Sequence, residues 1–420
     1  MRWRARRVAL GLLSLAAVAD GNSLGAQQPA APRQPGSELT VYLVTMGPGT
    51  KVWERFGHNA IWIRDNARNV DVAYNWGLFS FDEPGFLRRF LVGHMDYWMA
   101  GFDAGSMIGA YIQDDRSVWA QELRLTPAQR VALKQFVEWN ERPENRTYRY
   151  DYFRDNCSTR VRDALDRVLG GRIKSVTDTM PSRTSYRWHT RRLLAPDLTM
   201  YAGTLYGLGQ PTDQPITLWE EMYLPMRLRE HAKGITVPDE SGTLAPLVIS
   251  ERQLFASKST GEPVAPPNYL WLFLAFGILL GGGLAWMGYR RSRAWRASFA
   301  SAASVWCFVS GLLGAGMVLA WVLTDHVWTY SNENILQLGP LALPLLVMIP
   351  RAVLKGRGVR GVRLLTLSIA VLSVLGLLLQ VLPWFHQVNG EIIALALPAN
   401  VGLALGARAV TREVPASVAA

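Results

Sequence analysis

Cys157 and Cys307 are the only thiols in the 420-residue chain, and their surroundings differ sharply. Cys307 lies in Trp306-Cys307-Phe308-Val309, an apolar run in which no chemical role is expected. Cys157 lies in Asp155-Asn156-Cys157-Ser158-Thr159-Arg160, with apolar residues following at Val161, Leu165, Val168 and Leu169. That spacing predicts a helix starting at the cysteine, with an Asp or Asn as its N-cap and Gly170-Gly171 as its stop. The unpaired amides and positive dipole end there favour a thiolate, so a lowered thiol pKa is expected. The same amides are suited to a developing oxyanion. A lone cysteine is more often inert and packed. The polar flank of Cys157 argues instead for a nucleophile.

A thiol nucleophile needs a base. His58 stands in Phe56-Gly57-His58-Asn59, at the mouth of a predicted strand, which is the rigid support a placed base requires. His94 lies in a Gly-His-Met-Asp loop, and His189 and His231 lie among Arg, Thr and Lys on expected surface helices. Arg160 and Asp163, in the cysteine helix, are read as a structural pair. Two cysteines exclude a multi-cysteine metal module, and no H-E-x-x-H occurs, so neither metal nor cofactor is expected. A G-x-S-x-G match at Gly21–Gly25 lacks the strand before and the helix after that a nucleophile elbow needs.

These residues need elements to hold them. Leu39–Thr45, Asn59–Arg64 and Val70–Trp76 alternate and are rich in β-branched and aromatic residues, predicting three strands, with a turn near Asp65-Asn66. Thr126-Pro127 predicts a capped helix start, and Thr147–Phe153 an extended segment. The segment 38–250 is expected to be one α+β domain, long enough to bury a core.

Only 18% of the residues are charged, below the usual quarter, and the deficit lies at the C-terminal end. Five apolar segments are expected to span a membrane as an all-α bundle: about 269–289, 300–323, 335–349, 364–381 and 392–410, after a linker at 251–268. All eleven Lys and Arg residues beyond position 267 fall in loops 290–296 and 350–363 or in the tail, and none in loops 324–334 and 383–391. The positive-inside rule then puts the tail in the cytoplasm and the 38–250 domain outside. An Arg-rich start with a short apolar core over 1–26 reads as a signal segment, followed by a linker at 27–37. The net charge of +11 comes mainly from these flanking arginines, so it does not indicate nucleic-acid binding.

Several motifs in order carry a specific resemblance. Tyr42–Gly49, Phe56-Gly57-His58-Asn59-Ala60, Tyr74-Asn75-Trp76-Gly77-Leu78-Phe79 and Tyr148–Arg160, with Trp219–Pro225 later, resemble the Lnb N-terminal periplasmic domain family. Trp76 stands where that family's signature has Tyr. The family is typified by a bacterial lipoprotein N-acyltransferase. The resemblance implies a circularly permuted papain-like, NlpC-related fold, with Cys157 as nucleophile and His58 as base. Asn75, on the strand expected to pair with that of His58, is the candidate orienting group. It implies a bacterial inner-membrane protein, its catalytic domain on the periplasmic face. Phospholipid would supply the acyl group, and an amine, such as a lipoprotein N-terminus, would accept it. His326 and Asn334, with Asp325, are expected to form the floor of a lipid-facing cleft. A membrane-tethered cell-wall peptidase or amidase is the alternative, because fold alone does not settle chemistry.

Overall fold

The computed structural model describes residues 34–412. The expected signal segment lies outside the described residues, as does the end of the tail. A seven-stranded antiparallel sheet organises the first part of the chain. Its strands are β1 (Leu39–Met46), β2 (His58–Asp65), β3 (Val70–Leu78), β4 (Asp96–Asp103), β5 (Val118–Leu123) and β6 (Thr147–Arg149), plus the edge strand Val248–Phe255. The spatial order is Val248–Phe255, β5, β1, β2, β3, β4, β6. The three strands expected from alternation are β1, β2 and β3. The boundary expected at residue 250 falls inside the edge strand, which pairs with β5 and runs on to Phe255.

Both sheet faces are covered, because side chains alternate along each strand. Leu39, Val41 and Leu43 of β1 join a core with Leu133 and Val137 of α3 (Pro127–Asn140) and Val161 and Leu165 of α4 (Cys157–Val168). Tyr42, Val44 and Met46 point the other way, toward Ala104 and Met107 of α2 (Ala104–Gln113). The short α1 (Phe86–Val92) precedes β4. Thr126 caps α3 with a reciprocal Thr126/Gln129 capping box and Pro127 in the first turn, as the sequence predicts.

Among the described residues beyond 268, four helices are long and apolar enough to cross a membrane: Leu270–Tyr289, Arg293–Leu323, Val359–Val381 and Gly390–Val410. The expected fifth span is not a straight helix. It is a pair, Glu333–Ala342 and Leu345–Lys355, bent by 51°. Pro340 and Pro344 lie at this break, where proline withholds a helical donor. The segment with Pro398 and Asn400 is continuous, and Asn400 ties the bundle together. It accepts from Trp306 Nε1 at 2.9 Å and donates to Gln337 O at 2.9 Å and Ser373 Oγ at 2.6 Å.

The two parts are not joined by a linker alone. Helix Leu198–Gly207 buries Tyr201 and Leu205 in the same apolar cluster as Phe273, Leu284 and Phe299. Tyr206 donates its hydroxyl to Leu313 O at 2.8 Å. The Lys/Arg-free loop 324–332 meets the sheet domain. The basic ends meet one another, with Arg296 donating to Val410 O at 3.3 Å and Arg363 to Thr411 Oγ1 at 2.8 Å. Cys307 is fully buried within Arg293–Leu323.

Candidate functional site

The site forms where β2 begins, β3 ends and α4 starts. Asn156 caps α4, its Oδ1 accepting from Ser158 N at 2.9 Å and Thr159 N at 3.0 Å. Its Nδ2 donates to Tyr152 O and Tyr223 O, which locks the turn before the cysteine. Cys157 follows at the first helical position and is half-buried. Its sulfur faces the backbone N–H groups of Asn59 and Ser158. Gly77 interrupts the β3–β4 register with φ near +88°, and a Cβ there would come within 3.4 Å of Cys157 Cβ. Glycine thus serves both the turn and the close approach of α4.

His58 and Asn75 share the α2 face of the sheet, because Asn75 pairs with Ala60, two residues along from His58. His58 Nε2 lies 3.0 Å from Asn75 Oδ1. The Asn75 amide is pinned, its Nδ2 donating to Ala73 O at 3.0 Å. Its oxygen must therefore accept from His58 Nε2–H, which leaves Nδ1 as the free basic nitrogen. The His58 ring stacks on Tyr111 with centroids 6.0 Å apart. His58 directly precedes Asn59, whose amide faces the sulfur, so thiol and imidazole share one strand end. His58 and Asn75 are in direct contact, and Cys157 reaches the same strand end through the Asn59 amide.

The electrostatics reverse one expectation. Burial pushes the Cys157 thiol up to about 11, against the opposing pull of the Asn59 and Ser158 amides and the Arg116 charge. The helix terminus lowers a thiol pKa, but here desolvation outweighs it. Burial likewise pushes His58 down to about 4, opposed by its hydrogen bond to Asn75 and reinforced by Arg116. Thiol and imidazole are both neutral at neutral pH.

Other expectations are corrected. His189 is fully buried rather than on a surface, and it shares Glu221 with His231 at 2.9 and 2.7 Å. Arg160 and Asp163 are not a pair: Arg160 bonds Asp155 at 2.6 Å, and Asp163 bonds Arg162 at 2.8 Å. Asn334 does not open onto a cleft. It is completely enclosed, donating to Leu205 O at 2.9 Å and Tyr206 O at 3.2 Å, at the C-terminal end of helix Leu198–Gly207, and accepting from Asn389. His326 sits 2.9 Å from Phe90 O and stacks on Tyr152, inside a docking contact.

That contact went unread in the sequence. Asp325 accepts from Arg149 at 2.8 Å and lies 2.8 Å from His94 Nε2. Trp328 donates Nε1 to the Asp151 carboxylate at 2.9 Å and packs edge-on against Phe153 and Tyr186. Asp151 in turn receives Phe153 N and Arg154 N and forms a bridge with Asp155. The loop between membrane helices therefore grips the segment leading into Cys157. The presence of Asp325, His326 and Trp328 together in a loop free of Lys and Arg was the available signal.

No curated protein and no solved structure matches the chain. Residues 31–196, which hold His58, Asn75 and Cys157, match the model of the Lnb N-terminal periplasmic domain.

Proposed function

We propose that the chain is a membrane-held thiol acyltransferase that takes an acyl group from phospholipid and passes it to an amine. The observation that carries this reading is the His58–Asn75 contact of 3.0 Å beside a half-buried cysteine at a helix start. A nucleophile, a base and an amide orienting that base, on a helix packed against an antiparallel sheet, match the logic of papain-like thiol enzymes. The family assignment supports a periplasmic site. The Arg-rich helix ends would then face the cytoplasm.

In this reading His58 Nδ1 takes the Cys157 proton as the sulfur attacks an ester carbonyl. The oxyanion turns toward the N–H groups of Cys157 and Asn59, since Asn156 already occupies those of Ser158 and Thr159. The alcohol leaves with the proton from His58, and a thioester remains. An incoming amine gives up its proton to His58, attacks the thioester and frees the thiol. A site walled by Tyr111, Tyr148 and Tyr150 excludes water, which favours the amine over hydrolysis. A cavity of about 550 Å³ between the membrane helices, with Leu270, Leu274, Ile393 and Leu397 in its wall, suits an apolar chain.

The test is intact-protein mass spectrometry after incubation with phospholipid. A hydroxylamine-sensitive acyl adduct is expected, absent in Cys157→Ser and formed about 10²–10⁴-fold more slowly in His58→Ala. Adding an acceptor lipoprotein should discharge it. Cleavage of cell-wall peptides that needs Cys157, with no adduct, would instead establish a hydrolase.

A further inference from the structure

Arg116 has no counterpart in the site as built so far. It is 4% exposed, and its position is set by the end of α2. Asp115 takes a left-handed conformation (φ near +50°), Asp115 N donates to Ile112 O, and Arg116 N donates to Tyr111 O. This is the Schellman arrangement, built here on Asp rather than Gly. The side chain then runs back along the α2 end. Nε donates to Gly47 O at 2.9 Å, and the guanidinium lies 4.7 Å from the Tyr111 ring centroid. Gly47 directly follows Met46, the residue paired with His58, and Tyr111 is the ring on which His58 stacks.

The guanidinium is thus anchored beside the base, with the Tyr111 ring face and the Glu54 charge near it but no anion bonded to its fork among the described residues. Among the described residues neither Nη nitrogen has a hydrogen-bond partner, and Nη2 is shielded from solvent. Arg116 takes part in no salt bridge among the described residues. Glu54 feels its charge but is bound to Lys51 at 3.0 Å. A buried cation without a paired anion is costly, and such sites are usually completed by one. The planar fork of Arg suits the oxygens of a phosphate.

We propose that Arg116 is the anion-recognition residue of the thiol site, holding the phosphate of a glycerophospholipid while its neighbouring acyl ester meets Cys157. This rests on the acyl-transfer reading for the lipid, but not for the existence of an anion site. Arg116 would select phosphodiester donors over neutral glycerides with the same chains.

The test needs no acyl chemistry. Full-length protein in detergent is treated with iodoacetate or iodoacetamide, each of which forms a thioether at Cys157 and releases iodide. Rates are read at the Cys157 peptide and normalised to glutathione. The wild-type ratio of iodoacetate to iodoacetamide should exceed that of glutathione about tenfold, as an adjacent cation would impose. Arg116→Lys should keep most of this preference, and Arg116→Gln should lose it, slowing iodoacetate capture far more than iodoacetamide capture. Equal ratios in wild type and Arg116→Gln would overturn the proposal. If Arg116→Gln fails to fold, the wild type decides. sn-Glycerol 3-phosphate should slow iodoacetate capture where glycerol does not, and absence of that protection overturns the proposal. Charge selectivity without any acyl adduct would refute the acyltransferase reading alone. An adduct without charge selectivity would refute the role of Arg116 alone.

Discussion

Cys157 at about 11 and His58 at about 4 form a neutral pair rather than a preformed thiolate–imidazolium. In the proposed acyl transfer the proton would move only when a carbonyl arrives, so reactivity would depend on His58 Nδ1 being free and aimed, with Asn75 holding the ring through Nε2. Alkylation of Cys157 should therefore climb through pH 9 to 11 without a plateau near neutrality. A thiolate plateau below pH 7 would contradict the neutral pair. The same shifts bear on folding. The folded-state pKa of His58 lies below its ordinary value of 6.5, so its neutral burial contributes stability above pH 6.5. That stability is lost as pH falls toward about 4, because the unfolded chain binds the proton first. Melting temperature should fall more steeply over that window in wild type than in His58→Gln, and parallel curves would sink the assignment. Cys157 and His58 stood out from their local motifs and Asn75 from the family resemblance, whereas the facing of Asn75 and His58 follows from the β2–β3 register. The direction of the thiol shift was not legible, since it depends on rings from α2 and the 148–152 segment that only tertiary packing brings in. Arg116 was invisible for the same reason: nothing in its local sequence marks the end of α2.

Local patterning foretold β1, β2, β3 and α4 within a residue or two, and the start of α3, because each has a clear period or a cap. It did not foretell that helix Leu198–Gly207 would sink among membrane helices, or that loop 324–332 would clamp the cysteine segment. Both are partnerships between segments far apart in the chain. The clamp has two unequal halves. Asp325, Arg149 and His94 are each about half exposed, so that ion cluster adds little stability. Trp328 is 4% exposed and bonds a carboxylate that organises residues 151–155, so it carries the contact. Trp328→Phe keeps the ring and removes the donor. It should cost about 1.5–3 kcal/mol, the range for a hydrogen bond to a charged group, and should speed proteolysis between Tyr150 and Asn156. Asp325→Asn should change neither by a measurable amount. Equal sensitivity of the two variants to limited proteolysis would show that the tryptophan is not the anchor.

The whole molecule depends on how its first and last membrane helices meet. Leu270–Tyr289 and Gly390–Val410 approach backbone to backbone through Gly277-x-x-x-Gly281 on one and Gly402-x-x-x-Gly406 on the other. A Cβ at Gly402 would lie 2.0 Å from Gly281 O, and one at Gly281 would lie 2.0 Å from Pro398 O. In lipid, apolar side chains gain nothing by leaving their surroundings, so this close packing supplies the association. In the first turn of the last helix, Glu391 accepts from Tyr201 Oη at 2.9 Å and pairs with Arg191, both in the segment before the membrane. Pushing the two helices apart should therefore disturb the seat of the thiol domain as well as the bundle. Gly402→Ala is expected to lose about 1–3 kcal/mol as an overpacked contact and to lower the melting temperature in detergent. Gly283→Ala makes the matched control: it lies on the same first helix, with no neighbour within 4 Å of the added methyl. That change should leave the melt unaltered or raise it slightly, since alanine favours helix over glycine. If the two variants melt together, the glycine seam does not hold the helices, and the bundle must rest on the Asn400 network instead.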